Sequence, residues 1–525
     1  MVNNQLGRKI PNNRGSLRQR DIPSMYWFGI GIDPLLVYLE QRLEGIPIAS
    51  LPVHGPVEAT SCHTSLPVIK QRYKVIAYAD DVKPSIISMQ EFNLVDKACS
   101  LLESASCVKL HRDPSTDKIK FLALGRWRGV LTQEDIPQQY IKLSDHLDFV
   151  GVELRATYIQ TRMLNGDKLQ TRIKNIFGPW KTGKFMALTL RPFSANNFAL
   201  SKVWFKCNTI NLRQCDVNSI NSQVKSWLYQ DCFEKPSETV LYRDHKDGGL
   251  GLLHVQLRAL AILIRSFLET ASNPQFRHSL FHQILFRYHV LGEDSLPDPG
   301  IPPYYDRDFF ATIRHYHENS SMNISVMSLK QWYKALLEDR VLMTQLDQDS
   351  PPILTPVRVE SLSPSTDWSQ TWRLARMPGL PSDLTAFLFK LVHCLLPTKD
   401  RVARMGGGDG LCGVCGEFET PLHVYFECRN GMICGLALLG QLQKLVPRLS
   451  PEAALRLELG PDLTEQQELA VVTLLACGLK YIWESRSDRK QVQLYKMRAE
   501  AEARVSILRK TRYTIPGDMI TDMLQ

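Results

Sequence analysis

Two groups of side chains in this sequence have the types and spacing for metal chemistry. The first is Cys412, Cys415, His423 and Cys428, in the pattern C-x2-C-x7-H-x4-C. Zinc takes four nitrogen or sulfur ligands tetrahedrally, and a C-x2-C turn can present two thiolates to one ion. Gly413 and Gly416 relax the backbone around that turn. His423 and Cys428 would come from a following helical turn. With every position filled by Cys or His, the site is expected to be closed and structural. The competing reading is a set of buried free thiols with a core histidine, and Cys434 is an alternative ligand whose spacing fits less well.

The second group is Asp80-Asp81, which follows Tyr78-Ala79 at the end of an apolar segment. Adjacent carboxylates repel each other, so burying them without a partner is costly. A divalent cation resolves the conflict. Mg2+ prefers hard oxygen ligands and is usually held by a few carboxylates together with substrate phosphates. In nucleotidyl transfer two such ions stabilise the attacking and leaving oxygens. Asp-Asp pairs are also frequent in surface turns, which is the bland alternative.

The surrounding elements must position these groups. Hydrophobic periodicity predicts a helix over 26–42, with Leu35, Leu36, Leu39 and Leu43 on one side, and an amphipathic helix over 89–105, with Phe92, Val95, Leu102 and Ala105 inward. Strands are predicted at 73–78, 118–124 and 148–154. Beyond these the chain reads as helical over 199–233, 251–272, 328–346 and 383–404. A long helical region covers 464–510, with a break near Gly478. Pro-rich stretches at 295–304 and 348–366 read as linkers or long loops.

The chain has 525 residues and a net charge of +9, an excess that permits nucleic acid as a partner without demanding it. The charge is concentrated. From Gly151 to Lys206 ten basic side chains, among them Lys168, Arg172, Lys174, Lys181 and Lys184, are opposed only by Glu153 and Asp167. Tyr158, Phe177, Trp180, Phe185, Phe193 and Trp204 are interleaved with them. Such a mixture suits a surface that tracks a phosphate backbone and stacks on bases. A solvated basic face over an aromatic core is the alternative. The polar N-terminus, the scattered cysteines and the lack of any run of about 18 apolar residues predict a reducing intracellular setting, cytoplasm or nucleus, and no membrane span.

Taken together, these segments resemble a family. Ala77-Tyr78-Ala79-Asp80-Asp81 followed by Val82 looks like the active-site hairpin of non-LTR (LINE-type) retrotransposon reverse transcriptases. Arg14 to Ser24, RGSLRQRDIPS, resembles that family's G-x-x-R-Q-G-D-P-x-S block and is followed by Gly31-Ile32-Asp33-Pro34-Leu35-Leu36. Lys109-Leu110 matches a K-L-N segment, and Phe149-Val150-Gly151-Val152 resembles a hairpin that supports the primer end. Asp247-Gly248-Gly249-Leu250-Gly251 looks like a G-G-L-G thumb element. Downstream, the segment from Leu391 to Arg401 followed by the Cys-His pattern resembles the zinc module after the thumb, across about 387–430.

The resemblance implies that Asp80 and Asp81 are palm carboxylates near catalytic Mg2+, with Asp80 the direct ligand. It implies that Arg18, Gln19 and Tyr78 lie near template and incoming nucleotide. The zinc module would help hold template RNA or target DNA, with Lys390, Lys399, Arg401 and Arg404 as its basic neighbours. The sequence also departs from the pattern. Arg20 stands where the family has Gly, and His111 where it has Asn. Family members carry another catalytic Asp before the R-Q-G block, and none of the 13 residues preceding Arg14 is acidic. A missing N-terminal palm and endonuclease half is therefore expected, leaving this chain inactive alone.

The resulting expectation is an α+β chain. A truncated palm with a small antiparallel sheet would occupy 1–155, a thumb-like helical region 156–290 and a linker with helices 291–382. The zinc module would occupy 383–435 and terminal helices 436–525. Its function would be that of a piece of an RNA-directed DNA polymerase, binding an RNA template and a DNA target or primer. The alternative is a non-catalytic, zinc-containing nucleic-acid-binding protein derived from a retroelement.

Overall fold

The computed structural model describes residues 22–47, 72–78, 81–105, 119–180, 186–230, 235–273, 279–296, 298–319, 323–339, 359–360, 363–486 and 493–509. These residues are mostly helical, with small two-stranded sheets, an α+β composition. In chain order the elements begin α1 (Ile22–Arg42), β1 (Ile46–Pro47), β2 (Arg72–Tyr73), β3 (Val75–Tyr78), β4 (Asp81–Pro84) and α2 (Gln90–Ala105). Next come β5 (Lys120–Leu122), β6 (Lys142–Ser144), β7 (His146–Phe149), β8 (Val152–Arg155) and α3 (Tyr158–Phe177). The helices α4 (Arg191–Ser194), α5 (Leu200–Cys207), α6 (Gln214–Leu228), α7 (Glu238–Tyr242), α8 (Val255–Ser272), α9 (Ser279–His289), α10 (Arg307–Asn319) and α11 (Leu329–Glu338) follow. The last are α12 (Trp368–Leu374), α13 (Ser382–Val392), α14 (Lys399–Arg404), α15 (Met432–Leu442), α16 (Pro451–Arg456), α17 (Glu465–Ser485) and α18 (Leu494–Arg509).

The chain divides into two compact units. One comprises residues 1–167, 209–211 and 266–326, and the other comprises 168–208, 212–265 and 327–525. In the first, α1 and α2 pack through Leu35, Leu39, Leu43 and Ala98, with Val75 and Val82 of the β3–β4 hairpin against them. Ala105, expected inward, is exposed at the end of α2. Glu91 is buried at the start of α2, where its carboxylate accepts from the backbone N–H groups of Glu44 at 2.5 Å and Ile87 at 2.6 Å. A buried carboxylate is stable when such donors surround it.

The strand read from periodicity over 148–154 is instead a hairpin, as the resemblance at 149–152 implied, with β7 paired antiparallel to β8 and Phe149 opposite Val152. Val150 and Gly151 form its turn with φ of 48° and 70°. Two positive φ values suit the tight turn that matches strand twist, but a β-branched residue sits there at a steric cost. Asn165 of α3 staples the hairpin, donating to the Glu153 and Thr161 carbonyls at 2.7 Å each and accepting from the Glu153 N–H at 3.1 Å. The same unit holds an aromatic cluster in which Phe267 meets Tyr305, Phe309 and Phe310 edge-on.

In the second unit the segment expected as one helix over 199–233 is two. The Asp216 carboxylate accepts from the Arg213 N–H at 3.2 Å and pairs with the Arg213 guanidinium at 2.7 Å, starting α6 afresh. The 383–404 segment also divides, because Cys394 turns with φ of 53° and Pro397 follows. Gly478 does not break α17, which runs through it without interruption. Its missing side chain admits α15 instead: a Cβ there would lie 2.5 Å from Leu438 Cδ2.

The Gly248–Gly251 segment is a packing hub. Gly248 has φ of 78°, and a Cβ on it would strike the Trp372 indole at 2.5 Å. His393 stacks on Trp372 with ring centres 4.6 Å apart, and its Nε2–H donates to the Gly248 carbonyl at 2.8 Å. Burial pushes His393 and His254 down to about 4.

Two outcomes follow. Unfolded histidine titrates near 6.5, so between about 6.5 and 4 the unfolded chain binds protons that the folded chain refuses, and stability falls as pH falls. Each histidine contributes at most about 3 kcal/mol to that loss. Urea denaturation at pH 7 and 4.5 measures it. The dependence is flatter in His393→Gln, and an unchanged slope in that variant would refute the assignment. In the first unit, Val150→Asn relieves the turn and raises stability by about 1 kcal/mol, read as a higher Tm. A lower Tm would contradict the strained-turn account.

Candidate metal centre

The centre is built from two short pieces of backbone in the second unit. The first is a tight loop after α14. Leu411 pairs with Phe418 in an isolated antiparallel bridge. The Cys412 N–H donates to the Glu417 carbonyl at 2.7 Å, and the Gly416 N–H donates to the Cys412 carbonyl at 2.9 Å. This winds the chain so that Cys412 and Cys415 face one point. Gly416 takes φ of 79°, the left-handed conformation that closes the loop. The Val414 N–H is directed at Cys412 Sγ, 3.5 Å away.

The second piece is a π-helical turn over His423–Glu427, entered from Pro421-Leu422. Thr420 Oγ1 accepts the His423 N–H at 3.1 Å and so opens the turn. The Cys428 N–H donates to the His423 carbonyl at 2.7 Å and closes it. His423 and Cys428 therefore sit at the two ends of one wide turn. One ligand atom from each of Cys412, Cys415, His423 and Cys428 lies within 4.8 Å of all the others, and three of the four residues are buried. Cys415 Sγ is 3.1 Å from His423 Nε2, and Cys412 Sγ is 3.8 Å from Cys428 Sγ. A tetrahedron with zinc–sulfur bonds of about 2.3 Å has edges of about 3.8 Å. The residues fit a metal ion such as zinc, with no fifth donor needed.

Charge supports the same conclusion. Burial opposes ionisation of Cys412, but the Val414 N–H, His423 and the Cys415 backbone and thiol outweigh it and hold the thiol down to about 7. Burial pushes Cys428 up to about 11, helped by its contact with the Cys412 thiol. One thiolate is favoured and a second beside it is opposed, a conflict that a divalent cation removes. Cys434, the alternative ligand, lies buried on α15 and is not part of the cluster.

The scaffold below the centre depends on glycine. A Cβ on Gly431 would be 2.2 Å from the Val424 carbonyl oxygen, and one on Gly435 would be 1.9 Å from the Tyr425 carbonyl oxygen. The π turn thus rests directly on the start of α15. Glu419 accepts from the Lys399 N–H at 3.0 Å and from Arg486 at 2.9 Å. Arg486 lies 3.4 Å above the Trp483 ring and donates to the Pro397 carbonyl at 3.0 Å. Glu427 Oε2 is 3.8 Å from His423 Nδ1, on the ring edge away from the cluster. Sequence reasoning missed Glu419, Arg486 and Glu427, although a glutamate four residues after His423 is a legible signal for a partner on the same turn.

The other candidate residues are not gathered with this centre. Tyr78 pairs with Asp81 across the β3–β4 hairpin in the first unit. Asp80 lies outside the described residues, as do Arg18, Gln19, Lys181 and Lys184. Of Tyr78 and Asp81 the backbone is described. Lys168, Arg172 and Lys174 are exposed on α3. Among the described residues no helix is long and apolar enough to cross a membrane. No protein-family model matches this chain, and no curated protein matches it.

The purified protein is expected to carry one zinc ion per chain by elemental analysis. Cys412→Ser and Cys428→Ser lose it, and Cys434→Ala retains it. Loss of zinc from Cys434→Ala, or full retention in Cys412→Ser, would show that the ligand set is wrong.

Proposed function

We propose that this chain binds RNA and DNA as part of a non-LTR retrotransposon reverse transcriptase, with the Cys412–Cys428 centre as a structural zinc clip that stiffens the binding surface. The observation that carries the proposal is the convergence of three thiols and one imidazole on a single buried point, at the position where the sequence resembles the family's zinc module. A closed centre of this kind leaves no coordination position for catalysis, so the metal's task is folding. Exposed Lys399 and Arg404 stand on α14 immediately before the loop, where they suit phosphate contact. Lys168, Arg172 and Lys174 extend the basic character along α3.

The same reading assigns Asp80 and Asp81 to Mg2+-held nucleotide phosphates in a reverse-transcriptase palm, with Arg18, Gln19 and Tyr78 beside the template and the incoming nucleotide. The β3–β4 hairpin, which pairs Tyr78 with Asp81, is compatible with that role. The second reading, a non-catalytic nucleic-acid-binding protein, draws on the same metal centre, because the clip works without the palm.

Primer extension on an RNA template with Mg2+, alongside equilibrium binding at several salt concentrations, separates these readings. Binding that weakens steeply with salt is expected in both, and removal of zinc by chelation weakens it at least tenfold. Incorporation abolished by Asp80→Ala identifies a polymerase. Salt-sensitive binding without incorporation identifies the binding module. Failure to bind RNA or DNA at low salt would overturn both.

A further inference from the structure

We propose that the outer face of the helix spanning residues 191–207 is a stacking platform for unpaired bases of single-stranded nucleic acid. This deepens the function proposed above and rests on it. Helices α4 and α5 are joined without interruption by a π-helical turn over Ala195–Ala199. The inner side of this helix is dry: Ala195, Ala199, Leu200, Val203 and Cys207 are each at most 3% exposed. Its outer side carries Phe193, Phe198 and Phe205, which are 61%, 55% and 49% exposed. Large rings are rarely left in water in such a group without a partner.

The helix is held rigidly enough to present them. Arg191 is buried and donates to the carbonyls of Leu228 and Gln230 at 2.7 Å each. Asn196 donates to the Gly251 carbonyl at 2.9 Å and accepts from the Leu253 N–H at 3.1 Å. Phe198 is fixed further by Trp180, which meets it edge-on with centres 5.5 Å apart. Phe205 follows Phe198 by seven residues and Lys202 by three, and Lys202 follows Phe198 by four, so these side chains share one stripe.

Charge selects the occupant. No Asp or Glu occurs between Lys168 and Asn208, whereas Lys168, Arg172, Lys174 and Lys202 are exposed there. An apolar stripe that carries exposed Lys202, in a stretch of sequence without acidic residues, suits a polyanion that also carries flat apolar faces. Geometry favours unpaired strands. Phe198 and Phe205 are seven residues apart, about 10 Å along a helix at about 1.5 Å per residue. Neighbouring bases in a duplex strand are about 3.4 Å apart and already stacked on each other. Bases splayed from an extended strand can reach rings at the wider spacing, and base–aromatic stacking tolerates any sequence.

The test uses the full chain, a fluorescent 20-nucleotide poly(U) RNA and an RNA duplex of equal length. Replacing Phe193, Phe198 and Phe205 together with Leu keeps the face apolar and removes the rings. Stacking is worth roughly tenfold per base, so the triple variant is expected to bind poly(U) at least about thirtyfold more weakly. Its salt slope stays unchanged and its duplex affinity stays within twofold. Undiminished poly(U) binding would mean an apolar docking face for another class of partner and would overturn the platform. Equal weakening on both probes would also overturn it, as a general electrostatic or folding effect. If the unaltered chain binds neither probe, the nucleic-acid function itself fails; if it binds and the Leu variant matches it, only the platform fails.

Discussion

At position 435 the carbonyl of Tyr425 occupies the space where a side chain would begin. That close approach governs the second unit's C-terminal half. It seats the π turn on α15, and the seat sets the separation between His423 and Cys428 at the ends of the turn. Tyr425 is then fully buried beneath the centre, with the Trp483 ring beside it, and Gly478 lets α15 close on α17 in the same way. Interiors this tightly packed respond to the addition of a single methyl group. The four clustered Cys and His side chains are therefore placed by helix packing as much as by the loop that carries two of them.

Parts of this arrangement were legible in the sequence. The C-x2-C spacing with Gly416 states its own geometry, since few backbone paths bring two thiols to one point. Helix α2 could be read from Phe92, Val95 and Leu102, and α1 from Leu35, Leu39 and Leu43. Other features depended on contacts distant in sequence. Nothing local marks Gly478 as a packing contact and not a break, because the reason is Leu438 on another helix. The hairpin at Val150 was legible only through the resemblance of residues 149–152 to a family hairpin, because periodicity reads 148–154 as one strand and valine disfavours the turn it occupies. The π turns over Ala195–Ala199 and His423–Glu427 were invisible to a search at ordinary helical period. Of the acidic pair, the flanking strands could be anticipated, but Asp80 lies outside the described residues, and the metal role given to it stands on resemblance.

The glycine segment 248–251 illustrates how a motif can be explained without a ligand. At each of these glycines a neighbour occupies the space of a side chain: Trp372 at Gly248, the Arg243 carbonyl at Gly249 and the His245 ring at Gly251. The outer face of the 191–207 helix is the reverse case. Its inner side is buried, while Phe193, Phe198 and Phe205 stay largely exposed, with Phe198 held at one edge by Trp180.

Glu419 also has a mechanical meaning. One carboxylate joins the entry of α14, through the Lys399 N–H, to Arg486 just beyond α17, and it stands within the loop that carries the thiols. A pull on the end of α17 would therefore reach the thiol loop through this carboxylate, alongside the Pro397 carbonyl that Arg486 also holds. The end of α17 and the thiol-bearing loop are geared together, so strain at one registers at the other.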